Sequence, residues 1–227
     1  MKHVLLLIFM VTINSVLLAQ QQDMHTWYGF KMEGELNKKM GFSFEPELRL
    51  YENASQVHSW LTEFSMFYEL HKRLAIGGLY RYQVEYDKFD YNERIHRTAI
   101  YLNFNYKIQR WRWRYRAMLQ NENRNFLTSA DGLNNYLGHR HKLSLKYYRK
   151  KWKFRPSIGM EYYFPVRPTT HTGRWKRRYI AAVDYRWSKE LNVGLSYKMQ
   201  DEFNVREPEQ FHIFQLGLEF KPKFLKR

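Results

Sequence analysis

From Met40 to Tyr51 apolar and polar residues alternate one for one. Met40, Phe42, Phe44, Pro46, Leu48 and Leu50 share one side; Gly41, Ser43, Glu45, Glu47, Arg49 and Tyr51 share the other. Successive strand side chains point to opposite faces, so a period of two predicts a strand with one oily and one polar face. The pattern recurs about eleven times along the chain. One segment sets Ile100, Leu102, Phe104, Tyr106 and Ile108 against Arg97, Asn103, Asn105 and Lys107. The next sets Trp111, Trp113, Tyr115 and Leu119 against Arg112, Arg114, Arg116 and Gln120. In lipid every backbone N–H and C=O must be paired inside the protein, which strands achieve only by closing on themselves. The expected fold is therefore all-β: a single antiparallel up-and-down transmembrane barrel of 10 to 12 strands, oily outside and polar inside. A soluble sandwich has no need of so many long segments with one face uniformly apolar.

Before the first alternation, Met1, Lys2 and His3 precede an apolar run from Val4 to Leu18, and Ala19 followed by Gln20 offers a small-residue cleavage point. This predicts a signal peptide over 1–19, too short to span as a helix, with one barrel domain over 20–227 and export to the cell outer membrane. The chain has no cysteine, hence no disulfide framework and no lipid-modified amino terminus. Aromatic residues make up 18% and hydrophobic residues 44%, yet the mean hydropathy is −0.70. A barrel reconciles these values, because half of each strand faces lipid and half a polar lumen.

The connections fall into two sets. Those at Asn37-Lys38-Lys39, His71-Lys72-Arg73, Gln109-Arg110, Arg149-Lys150-Lys151 and Ser188-Lys189-Glu190 are tight, and they alternate with longer stretches. Short turns belong on the periplasmic side of such barrels and long loops outside. Tyr68, Tyr106, Trp111, Trp113, Trp152 and Trp187 flank the tight set, while Trp60 and Trp175 lie near the long set. Two bands of Trp and Tyr are what the two interfaces of a bilayer select. The strand number raises a difficulty. Bacterial single-chain barrels have even numbers, so eleven segments suggest one strand too many or too few.

The polar face carries the candidate chemistry. Glu33, Glu45, Glu47 and Glu63 sit on the first three segments. Arg81, Arg97, Arg114, Arg116, Lys142, Arg155, Arg178 and Arg186 dominate the later ones. Eight strands are filled by their own side chains and sixteen leave a channel. A charge network that mostly plugs the lumen and stabilises the barrel is expected, with a structural role or a narrow passive pore for small anionic solutes as the function. An enzyme with its site at the outer rim is the alternative, drawing on Asp87, Asp90, His96, Asp131, His139, His141, His171, Asp201, Glu202 and His212. His141 and Ser144 differ by three positions and so point to opposite faces, which disfavours a nucleophile–base pair. No spacing specifies a triad, a metal site or a cofactor.

The formal net charge of +16 would suit nucleic acid. Alternation argues against that partner, since the rings of Trp111-Arg112-Trp113-Arg114 point one way and the guanidinium groups the other. Lipid phosphates, lipopolysaccharide included, are the expected counter-charge for Lys38, Lys39, Lys72, Arg73, Arg110, Lys150 and Lys151 at one end and Arg167, Arg174, Lys176 and Arg177 at the other.

Trp27-Tyr28-Gly29, Glu47-Leu48-Arg49, Tyr80-Arg81-Tyr82 and Trp113-Arg114-Tyr115-Arg116 resemble an uncharacterised family of Gram-negative outer-membrane barrels, classified only as a domain of unknown function. The resemblance covers nearly all of 20–227. It implies an outer-membrane barrel with no established activity. The chain departs from a common outer-membrane pattern by continuing past Phe220 to Arg227, so Phe214, Gly217, Leu218 and Phe220 are the expected signal to the assembly machinery.

Overall fold

The computed structural model describes residues 22–86, 92–124, 134–166, 175–205 and 208–222. The leader expected over 1–19, and Asp87, Asp90, Asp131, Arg167, His171 and Arg174, lie outside the described residues. Eleven strands follow one another: β1 (Gln22–Glu35), β2 (Met40–Tyr51), β3 (Gln56–His71), β4 (Leu74–Tyr86), β5 (Asn92–Ile108), β6 (Trp111–Arg124), β7 (Asn134–Tyr147), β8 (Phe154–Pro165), β9 (Lys176–Arg186), β10 (Leu191–Glu202) and β11 (Gln210–Phe220). Each pairs with its neighbours in sequence, and β1 pairs with β11 to close the barrel.

Closure explains the odd strand number. All sequential pairs are antiparallel, but β1 and β11 run parallel, in unbroken register from Gln22↔Gln210 to Met32↔Phe220. An up-and-down chain with an odd number of strands begins and ends at opposite edges pointing the same way. The closing ladder is then parallel, and no strand is missing from the wall. The even-number expectation fails at this one seam.

Tight turns are built by side chains that stand in for backbone acceptors. The Asn37 Oδ1 accepts from the backbone N–H of Lys39 and of Met40, both at 2.9 Å. Ser188 Oγ does the same for Glu190 at 3.1 Å and Leu191 at 3.0 Å. At the other end, Asp23 accepts from the N–H of Glu52 and Asn53, tying the start of β1 to the β2–β3 connection.

The outer face is apolar and exposed around the barrel. Ile100 at 62% and Leu195 at 57% are typical of side chains with no protein neighbour to cover them. Tyr68, Tyr106, Trp111, Trp113, Trp152, Trp187 and Trp60 are likewise exposed on the outer side, and Trp175 packs edge-on against Phe164 and Phe203.

The inner face is not wholly polar. Leu79, Ala99, Tyr101 and Met118 form a buried cluster against which Phe67 packs, all inside the barrel on β3–β6. Two inward rings need a glycine beside them. A Cβ on Gly77 would lie 2.3 Å from the Tyr101 ring and one on Gly41 2.4 Å from Phe67, so each ring lies flat on a strand that lacks a side chain there.

Candidate functional site: a basic lumen

Inside the barrel lies one continuous cavity of about 2420 Å³. Its lining reaches Glu52, Asn53 and Glu209 at the long-connection end, and Lys72, Arg73, Lys189 and Lys221 at the tight-turn end. Glu33, Glu45, Glu47, Glu63, Arg81, Arg97, Arg114, Arg116, Lys142, Arg155, Arg178 and Arg186 all line it.

Among the described residues a charge network forms as expected, and its ion pairs run along the wall. Arg81 donates to Glu63 on the neighbouring strand at 2.6 and 2.9 Å. Arg97 pairs with Glu122, Lys176 with Glu202, and Lys31 bridges Glu33 and Glu45. Ion pairs between described residues join groups on the same strand, on adjacent strands, or on strands one apart such as Lys146 and Asp184. Register places Arg81 opposite Glu63, Arg97 opposite Glu122 and Lys176 opposite Glu202, and it places Arg140 diagonal to Glu161.

Glu161 and Glu122 are the most deeply buried carboxylates of this network among the described residues, each with 1% of its surface exposed. Glu161 accepts from Arg140 at 2.6 Å, from the Tyr163 hydroxyl at 2.9 Å and from Arg178 at 3.3 Å. Opposite, Glu47 accepts from Arg49 and from Gln215, both at 2.7 Å.

These pairs leave a surplus of cations. Among the described residues the lining holds twenty-one lysines and arginines against twelve aspartates and glutamates. When each strand is divided at its midpoint, the half toward the long connections is balanced, eight against eight. The half toward the tight turns holds thirteen cations against four carboxylates. Lys221 belongs to this end. Burial opposes its charge, but the carboxylates of Glu33 and Glu219 outweigh burial and hold its pKa above the usual lysine value.

Aromatic rings face several lumen cations, of which Arg49 and Arg178 are also paired with carboxylates. Arg49 and Lys198 lie 4.1 and 4.3 Å from the ring centre of Trp27, and Arg178 lies 5.3 Å away. Arg112 and Arg155 lie 4.0 and 5.2 Å from Tyr148, and Arg116 lies 4.6 Å from Tyr101. A ring holds a cation by its quadrupole and leaves the net charge intact, whereas a carboxylate would cancel it. Charge-focused reading of the sequence passes over these rings. The signal for Trp27 was present, since its outward neighbours Tyr28 and Phe30 force it inward by parity.

Of the residues expected for rim chemistry, Asp87, Asp90, Asp131 and His171 lie outside the described residues. His96, His141 and His212 each share a 2.7 Å hydrogen bond with an outward tyrosine: Tyr80, Tyr115 and Tyr197. His139 hydrogen-bonds His141 at 2.9 Å on the same outer face, while Ser144 lines the lumen. Asp201 accepts from Arg177 at 3.0 Å, and Glu202 pairs with Lys176.

The model of the family described as "Protein of unknown function (DUF2490)" matches residues 24–211. The chain belongs to that family. Among solved structures it is similar to the NanC porin, with a TM-score of 0.56 and 11% identity over 88% of this chain and 99% of that one. It also matches the beta domain of the Bordetella autotransporter BrkA (TM-score 0.46, 10% identity, 82% of this chain and 86% of that one). A third match is the KdgM porin in complex with disordered oligogalacturonate (TM-score 0.45, 10% identity, 85% and 96%). No curated protein matches the chain. At these identities the likeness concerns the fold alone, a closed barrel.

Proposed function

We propose that this protein is a passive pore of an outer membrane that prefers small anionic solutes. The observation that carries the reading is the end-to-end cavity with its excess of lysine and arginine. A lining of one sign in a narrow, low-dielectric tube raises the local concentration of the opposite ion. The fold is shared with the NanC porin, but the anion preference rests on this chain's own side chains. The exposed apolar belt, with Trp and Tyr at both edges, suits lipid and not water. In this reading the tight turns face the periplasm, and Lys38, Lys39, Lys72 and Arg73 meet inner-leaflet phosphates. In the same reading the exposed Arg177 lies toward lipopolysaccharide phosphates, and the β11 sequence around Phe214, Leu218 and Phe220 addresses the assembly machinery.

A liposome-swelling assay tests the pore. Vesicles holding the folded protein should swell faster in a small organic anion than in a neutral or cationic solute of equal size. Equal rates for all three, or no swelling above protein-free vesicles, would count against it.

A further inference from the structure

The mid-lumen cations differ in how they are held. Arg81, Arg97 and Arg140 are ion-paired with carboxylates, whereas Lys198, within electrostatic reach of Glu47, makes no ion pair among the described residues. In register its neighbours are Ile180 on β9 and Ile213 on β11. Its ammonium instead rests 4.3 Å from the centre of the Trp27 ring. Lys142 stands between Arg116 and Glu161, and Glu161 is already engaged by Arg140, Arg178 and Tyr163. Lys198, Lys142 and Arg178 lie within electrostatic reach of one another. Trp27 itself is 6% exposed, and its indole N–H is buried without a protein acceptor. Three cations are therefore gathered near the buried Trp27 N–H: Lys198 against a π face and two isoleucines, and Lys142 and Arg178 sharing one carboxylate, Glu161. Proximity of like charges costs free energy that an incoming anion with several charges would relieve.

We infer that the Trp27–Lys142–Lys198 level of the lumen is a binding station for anions carrying two or more negative charges, such as polycarboxylates. This rests on the pore reading above and names its solute class. Two lysines and the Arg178 guanidinium present separated positive groups, so a polycarboxylate engages two of them while a monocarboxylate engages one. Such a station must bind weakly enough to release, and the surplus cations toward the tight turns supply the next stop.

The test is block of single-channel chloride current by citrate, with acetate as the monovalent comparison. Citrate at millimolar concentration should reduce the current while acetate at equal concentration does not. The Lys142→Gln/Lys198→Gln protein should need about tenfold more citrate for half block. Arg177→Gln, on the outer face, should keep the block of the unaltered protein. Heat-dependent gel mobility reports that each variant is folded, and Lys198→Arg, which keeps the charge, should retain the block if the double variant fails to fold. Anion-selective openings without citrate block, or a block indifferent to both Lys142 and Lys198, overturn the station alone. A silent or cation-selective bilayer overturns the pore reading beneath it.

Discussion

Glu161→Gln separates the structural work of the lumen network from its electrostatic effect. The change keeps the size of the side chain and removes its charge. Glu161 has 1% exposure and receives two arginines and a tyrosine hydroxyl. Breaking a buried ion pair by removing one partner costs about 3–5 kcal/mol, because the other charge is left buried and unpaired. The side chains of Arg140 and Arg178 retain 17% and 13% exposure at the edge of the cavity. They can turn toward the lumen, which places the expected cost near the low end, about 3 kcal/mol. Glu33→Gln is the comparison: its carboxylate is 29% exposed, so its loss should cost no more than about 1 kcal/mol. Urea titration of protein folded into lipid vesicles, followed by tryptophan fluorescence, measures both. The same Glu161→Gln protein should prefer anions more strongly, since one negative charge has left the wall and two arginines have been released. Equal costs for the two variants, or a weaker anion preference in Glu161→Gln, would refute this picture of the network.

Three further outcomes follow from the same geometry. Ile100→Arg, on the exposed outer face near the middle of β5, should destabilise the barrel in vesicles by about 2–4 kcal/mol, and the same unfolding titration reads it. Gly77→Ala puts a methyl group within 2.3 Å of the Tyr101 ring, and overpacking of this kind costs about 1–3 kcal/mol, again visible in the urea midpoint. The uneven charge along the axis should make the current–voltage curve asymmetric at ~0.1 M salt and nearly symmetric at ~1 M, as the screening length falls from ~10 Å to ~3 Å.

Much of the wall is legible because strand parity is a local property. Within Met40 to Tyr51 or Trp111 to Gln120, alternation alone assigns each residue to a face, and the strands follow it. Three features lie beyond that reach. The parallel β1–β11 seam depends on how distant ends meet, and no local period encodes it. Whether Arg and Glu plug the lumen or zip along its wall depends on register between strands, as with Arg81 opposite Glu63 and Arg97 opposite Glu122. The inward rings of Trp27, Tyr101 and Tyr148 are hidden in a chain where 18% of residues are aromatic, and their role as seats for cations emerges only when the arginines are placed beside them.

The most direct measurement is the reversal potential of single channels in a planar bilayer under a salt gradient, with the protein first shown to be folded. A lumen lined as this one is should give discrete openings and a reversal potential of the sign set by anions. Openings that reverse at the cation side, or a folded protein that stays silent, would contradict an anion-preferring pore.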